Sequence, residues 1–488
     1  MQLCLAISIK GYTLQRGVSN SMLNSHVKAT LIDFLKTQVV PSLRVPPAGS
    51  AIELYTITSS AIRFVSMFRQ QINVDMLKAI LPKLASECLR SQAPIVVHTY
   101  AALCIERILV LKQADGQFRT LLGTKLPSGV TLIQIFLKNA FEIVQKHPPN
   151  EYIMKCIMRV VSVAGEQLTD AVVKHILQYM KGAILAVVKN PTKPQYNHYL
   201  FETISAVVHT VCTRDPAKVS CFDGNQAVGS LFHTFIVILQ KNIDDFVPYV
   251  LQILAQLISA HGKSKVPLPQ FYGANPAGHT HLLKTLPHPD QWRVRQRIPA
   301  LIMLLEAYIL NYGACFSGER IMPILGVFKK LLTDRTGNFG YESYALKLLR
   351  SIFLSVGIQS LGQERAGQIF QLLCGKLSKS ARKCSPPYPV RFVSFVGFFI
   401  LNFGGIATLQ RALNRIITMD ILVKAMWYPL INNPKTTWID RADYKYATVG
   451  TVLLLLQGPA EVLYCVTMLS APFPSYFLSK LTSLIYCM

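Results

Sequence analysis

Apolar residues recur at positions i, i+3, i+4 and i+7 along most of the chain, the spacing of one helix face. Leu200, Ile204, Val207, Val208 and Val211 make one such face. Phe246, Val250, Ile253, Leu254 and Leu257 make a second, and Ile321, Ile324, Leu325, Phe328, Leu331 and Leu332 a third. Short polar breakers separate these faces: "RVPPAG", "KHPPN", "KNPTKP", "TRDPAK", "TDRTGN" and "SPPYP". No stretch sustains the period-two alternation of a half-buried strand. The pattern predicts about twenty helices of three to five turns joined by short turns.

A longer period overlies the short one. Prolines interrupt apolar stretches in "VVPSL" (Pro41), "ILPKL" (Pro82), "FVPYV" (Pro248) and "IMPIL" (Pro323). Pro41 and Pro82 lie 41 residues apart, and Pro248 and Pro323 lie 75 apart, close to two units. Arrays of antiparallel helix pairs with a repeat of ~40–47 residues are HEAT or armadillo solenoids. The prolines are expected inside helices, where each removes a backbone hydrogen bond and bends the rod. A globular α-domain with unrelated core helices is the alternative. The chain has 488 residues, 51% of them hydrophobic. That exceeds the ~250–300 residues a single core usually serves, which favours an array. The stretch Gly262–Gln296 breaks the rhythm and reads as a long connection with one or two short helices.

Charge adds a second theme. Fifty Lys and Arg against 25 Asp and Glu give a net charge of +25. Such a surface draws phosphates, anionic membranes or acidic proteins. Between Arg365 and Met419 there is no acidic residue, against Arg365, Lys376, Lys379, Arg382, Lys383, Arg391, Arg411 and Arg415. This is either a solvated helix face or a patch for RNA or an acidic protein. No interleaved aromatic platform of the RNA-binding kind accompanies it.

The 11 cysteines include no C-x-x-C pair, and Cys104, Cys156 and Cys212 fall on helical faces as small buried hydrophobes. The N-terminal "MQLCLAISIKGY" lacks a basic start and a clear cleavage site, so it is not read as a signal peptide. Phe392–Gln410 and Val462–Ser479 are apolar enough to raise a membrane reading. Asn402, a Gly-Gly pair and flanking arginines in the first, and two prolines in the second, favour buried solenoid helices, and no membrane span is expected.

The sequence carries few signatures of chemistry. There is no phosphate-binding glycine loop, no H-E-x-x-H and no G-x-S-x-G. His279, His281 and His288 gather in one loop, but neither a ligand set nor a second shell is evident, so no metal and no cofactor are expected. Solenoids act through surfaces, and a binding protein is favoured over an enzyme.

One polar knot stands out, "NPTKPQYNHYLFE" at 190–202. Pro191 and Pro194 should stop a helix near Val188, and Asn197 is placed to cap or brace the next. Lys193, Asn197, His198 and Glu202 are candidate partner contacts; a purely structural turn is the competing reading. The same choice applies to Glu106 and Arg107, which follow His98 on one helix, and to Glu151, Tyr152 and Lys155 on another.

The knot also carries a resemblance. "KNPTKPQYNHYLFETISAVVHTVC" is similar to a segment of the β-karyopherins that return importin-α to the cytoplasm, the cellular apoptosis susceptibility family. "AIRFVSMFRQQI" (61–72), "IVVHTYAALCIERIL" (95–109), "NEYIMKCIMRVVSV" (150–163), "FVPYVLQIL" (246–254), "IPALIMLLEAYI" (298–309) and "LGVFKKLL" (325–332) resemble the same family in order. The resemblance runs from about residue 25 to about 455. It implies an all-α chain, an α-solenoid of HEAT-type helix pairs forming a curved superhelical arch. It also implies importin-α as cargo, bound together with the GTP form of Ran, passage through the pore by contact with nucleoporins, shuttling between nucleus and cytoplasm, and no direct DNA binding. In this family the second helices of the repeats face the cargo, and "VVHTYAALCIER" resembles one. The chain resembles the family's C-terminal half; the N-terminal arch with the main Ran-binding region is not matched. It is basic where the family is usually acidic. The expected organisation is a segment 1–24, a HEAT solenoid 25–457 and a divergent apolar tail 458–488.

Overall fold

The structure, a computed structural model, describes residues 25–47, 49–111, 115–126, 129–224, 230–272, 282–333, 341–378, 388–413 and 441–457, with 418 and 422. The segments 1–24 and 458–488, including Val462–Ser479, lie outside the described residues, as do His279 and His281. The chain divides into two compact units, 1–266 and 267–488.

In the first unit, α1 (Ser25–Phe34) runs on through a π turn, Leu35–Val39. α2 (Ile52–Phe68) follows, then α3 (Val74–Lys83), which is prolonged by a second π turn, Leu84–Cys88. Next come α4 (Ile95–Leu109), α5 (Asp115–Gly123), α6 (Leu132–Lys146) and α7 (Glu151–Ala164). α8 (Asp170–Lys189), α9 (Pro194–Arg214), α10 (Leu231–Gln240) and α11 (Val247–Ser264) complete it. α2, α4, α7, α9 and α11 lie side by side as one layer, and α3, α6, α8 and α10 form the other. Each helix buries the stripe its sequence marks. Ile153, Met154, Cys156, Ile157, Val160, Val161 and Ala164 of α7 are all buried, and so are Leu200, Ile204, Val207, Val208 and Val211 of α9.

The second unit repeats the scheme. α12 (Ile298–Tyr312), α14 (Tyr341–Ser355), α16 (Tyr388–Asn402) and α18 (Arg441–Gln457) make one layer. α13 (Met322–Thr333), α15 (Gln363–Ser378) and α17 (Gly405–Leu413) make the other. Among the described residues of 262–296, only short turns of helix follow Ser264, as the sequence suggests. Among the described residues the sole β feature is an isolated bridge between Lys125 and Thr131.

The repeat is legible in the side-chain hydrogen bonds, which reach one unit along the chain. Asn150 Nδ2 donates to Thr99 Oγ1 (2.7 Å), Gln256 Nε2 to Ser205 Oγ (2.8 Å), Asn139 Nδ2 to the Ala85 carbonyl (2.9 Å) and Lys376 Nζ to the Leu332 carbonyl (2.6 Å). The sequence separations are 51, 51, 54 and 44 residues. Each bond ties a helix to its neighbour in the same layer or closes a turn onto the preceding repeat, and is worth about 1 kcal/mol. This is the all-α HEAT-type solenoid that the period predicts.

One sequence expectation, for the prolines, is corrected, and the choice between capping and bracing at Asn197 is decided. Of the four prolines, only Pro82 sits inside a helix, and a π turn follows it. Pro248 and Pro323 occupy first turns, where the missing N–H has no partner to lose, and Pro41 lies in the turn beyond a helix. Asn197 does not cap α9, which begins three residues earlier with Pro194 in its first turn. Asn197 is instead buried in the helix, and its Nδ2 donates back to the Pro191 carbonyl (3.4 Å). It braces the turn rather than starting the helix.

The apolar stretch Phe392–Gln410 is not one rod: α16 and α17 meet at 118°. Gly404 and Gly405, at φ +84° and +73°, supply the bend in a region that side chains resist. By length and composition alone, Asp170–Lys189 and Arg295–Phe316 are apolar enough to cross a membrane. Val172, Val173, Ile176, Met180, Ile184 and Val187 of the first are buried against the solenoid.

α16 and α18 cross very closely. A Cβ on Gly450 would sit 2.2 Å from the Gly397 Cα, and one on Gly397 would sit 2.0 Å from the Tyr446 carbonyl oxygen. Beside the crossing, Arg350 Nη2 donates to Ser394 Oγ (2.7 Å) and Asp443 Oδ1 (2.9 Å), and its guanidinium packs on the Phe398 and Tyr446 rings.

Candidate partner-binding ridge

Within the first unit, α4, α7, α9 and α11 align their half-buried polar positions into a ridge. Helical period places Glu151, Tyr152, Lys155 and Arg159 on one side of α7, and His198, Tyr199, Glu202 and Ser205 on the matching side of α9. Repeat period then brings the two rows together.

Glu106, on α4, is buried, with its side chain 7% exposed. Its Oε1 lies 3.7 Å from both Lys155 Nζ and Arg159 Nη2 of α7. Lys155 in turn lies over the Tyr199 ring of α9, 5.8 Å from its centroid. Further along, His198 Nδ1 is 3.0 Å from the Tyr249 hydroxyl of α11. Burial raises the Tyr249 phenol, and the Glu202 charge adds to the shift. Arg107 turns the other way, to Ser66 of α2, with Nη1 donating to Oγ at 3.1 Å.

The loops at the helix starts are stitched together too. Asn150 caps α7 by accepting from the Tyr152 N–H, and Tyr152 is exposed. Lys193 Nζ donates to the Pro149 carbonyl at 3.3 Å, tying the polar knot to the corresponding loop one repeat earlier. Glu151 is half-buried at the head of α7. Of the nine residues singled out by sequence, the structure joins Glu106 to Lys155, places His198 and Glu202 on the same row, and keeps Asn197 internal. His98 is fully buried against His147, with ring centroids 4.9 Å apart. Burial first, and His147 second, lower its pKa to about 4.

Sequence reasoning missed Arg69, Arg159, Tyr249 and Gln256. The signal was available in principle: a carboxylate at 106 and cations at 155 and 159 are one repeat apart on like-facing positions. Opposite charges at the repeat period, rather than at i, i+4, are the mark to search for.

Two of the eight cations of the acid-free stretch meet carboxylates in the structure. Arg365 pairs with Glu319, and Lys376 with Glu342 at 3.0 Å, each reaching back one repeat. Arg411 is exposed, and burial lowers the Arg391 pKa. Lys379, Arg382, Lys383 and Arg415 lie outside the described residues. Among the described residues, no group of three or more His, Cys, Asp or Glu is arranged to hold a metal.

Comparison with known proteins gives concordant results. The family model described as "CAS/CSE protein, C-terminus" matches residues 106–469, and the one described as "Cse1" matches 1–105. Exportin-2 of Bos taurus is 30% identical over 412 residues, covering 83% of this chain and 38% of its own length. Exportin-2 of Danio rerio is 29% identical over 479 residues, covering 96% and 45%. The chain thus spans less than half the length of these curated relatives. The solved structure described as "The exportin Cse1 in its cargo-free, cytoplasmic state" matches 90% of this chain and 41% of its own, at 24% identity and a TM-score of 0.63, which shows a shared fold.

Proposed function

Since the chain belongs to the CAS/CSE family, we propose that it is the cargo-gripping part of a nuclear transport receptor, an exportin. The cargo is importin-α, held together with Ran in its GTP form and carried from nucleus to cytoplasm. The protein shuttles between the two compartments, touches nucleoporins in the pore, and neither binds DNA directly nor performs catalysis.

The observation that carries this reading is the family match over residues 106–469, most of the solenoid. The ridge supports it in kind. Half-buried polar and aromatic side chains spread over four parallel helices suit a partner gripped by many modest contacts. Arg107, Glu151, Tyr152, Lys155, Lys193, His198 and Glu202 are the contacts proposed, with the buried Glu106 acting through Lys155 and Arg159 and Asn197 through the turn it braces.

The test is retention of this chain on immobilised importin-α, with and without Ran locked to GTP. Retention that requires Ran-GTP is the expected result. Failure to bind under either condition overturns the reading.

A further inference from the structure

The ridge has an electrostatic imbalance at its α4 end, where α4 meets α2. Ser66 of α2, itself buried, receives two guanidinium groups. Arg69 Nη1 donates to its carbonyl (2.8 Å), and Arg107 Nη1 donates to its hydroxyl (3.1 Å). Burial and the nearby Arg107 charge lower the Arg69 pKa, so the two cations repel across a poorly hydrated space.

The neighbouring carboxylate is Glu106, which also serves Lys155 and Arg159. Both lie 3.7 Å away, longer than a hydrogen bond of ~2.7–3.2 Å. Arg159 Nε is buried and has no hydrogen-bond partner. Among the described residues, no other carboxylate pairs with Arg69, Arg107, Lys155 or Arg159. Lys155, Arg159 and, at longer range, Arg69 therefore share one carboxylate that is almost wholly inside, and Arg107 has only the Ser66 hydroxyl. Lys155 and Arg159 remain 34% and 33% exposed, within reach of a partner.

We propose that Arg69, Arg107, Lys155 and Arg159 form a docking site for an extended acidic segment of a protein partner. Guanidinium groups stripped of part of their water and short of acceptors gain most from carboxylates, which they take in a bidentate fork. Neighbouring helices pack ~8–10 Å apart, and an extended peptide advances ~3.3–3.6 Å per residue. Acidic side chains about three residues apart therefore match successive rungs. A single-stranded nucleic acid fits less well, because the Tyr199 ring beside the site already has Lys155 over one face. The inference does not depend on importin-α being the cargo.

Fluorescence anisotropy with the full chain tests it. The probe is a labelled peptide of about twelve residues with Glu at every third position and Gly between. Binding that weakens about tenfold or more in Arg107→Gln/Arg159→Gln, and stays unchanged in Arg365→Gln on the second unit, is expected. Glu106→Gln removes the internal competitor and tightens the peptide about threefold or more. Equal binding by wild type and both ridge variants overturns the site. So does an oligouridine of equal charge that binds more tightly than the peptide. Should the double variant fail to fold, the Glu106→Gln result decides alone: no gain overturns the proposal.

Discussion

The ammonium of Lys155 faces the Tyr199 ring at 5.8 Å on one side and the Glu106 carboxylate at 3.7 Å on the other. Three successive helices of one layer are thus coupled through a single cation. Removing the carboxylate leaves Lys155 and Arg159 without a counter-charge. A fully buried pair broken this way costs ~3–5 kcal/mol. Both cations here are about a third exposed, so solvent screening reduces the cost. Glu106→Gln is expected to lower stability by about 1–2 kcal/mol, read as an earlier unfolding transition in urea. Tyr199→Phe keeps the ring and is expected to be silent, whereas Tyr199→Leu loses about 0.5–1 kcal/mol.

His98 gives the first unit a pH dependence of defined sign. Its folded pKa is about 4, against an ordinary value of ~6.5. Between these limits the unfolded chain holds a proton that the folded chain does not. Stability is therefore full above about pH 6.5 and falls as the pH drops toward 4, by up to about 3 kcal/mol. Urea midpoints at pH 7 and pH 5 check this. His98→Leu is expected to flatten the difference; an unchanged pH profile would exclude His98 as its source.

The α16–α18 crossing has no room for a methyl group. Gly397→Ala and Gly450→Ala each push backbone against backbone, where no flexible side chain can yield. Each is expected to destabilise the second unit by about 2–4 kcal/mol. Differential scanning calorimetry on the whole chain reads this. A variant that melts with the wild type would show that the helices can move apart at little cost.

Arg350 combines two hydrogen bonds from a single nitrogen, Nη2, with two ring faces. Lysine can supply the charge and the donors but not the flat stacking surface. Arg350→Lys is expected to cost about 1–2 kcal/mol, and Asp443→Asn a similar amount. Near-additive losses in the double variant would mean that the two residues act independently; a double variant little worse than either single one is the outcome anticipated from their contact.

The sequence carried the helices and the repeat with little ambiguity, because both periods are written in apolar residues and turn residues. The stripe Leu200–Val211 and the breaker "KNPTKP" stand where they were read. The prolines misled, since "FVPYV" looks the same whether Pro248 lies within a helix or opens one; the difference is set by where the preceding turn ends. The ridge was half legible. Residue type and exposure could be guessed for Lys155, whereas Glu106, read as a candidate contact, is buried, and their pairing depends on the exact repeat offset, 49 residues there and 41 between Arg107 and Ser66. A ragged period hides such partners until the helices are laid side by side.

The side-chain bridges that span one repeat have a mechanical meaning. Every such bond joins a rung only to the next rung, so load applied along the first unit is carried in series. Drawn from its ends, that unit should yield rung by rung from the outside. Each rupture would release the contour of about 45 residues, roughly 150 Å of chain. A protein built this way behaves less like a block that fails at once than like a ratchet that gives way in equal lengths, and rungs not yet under tension keep their grip.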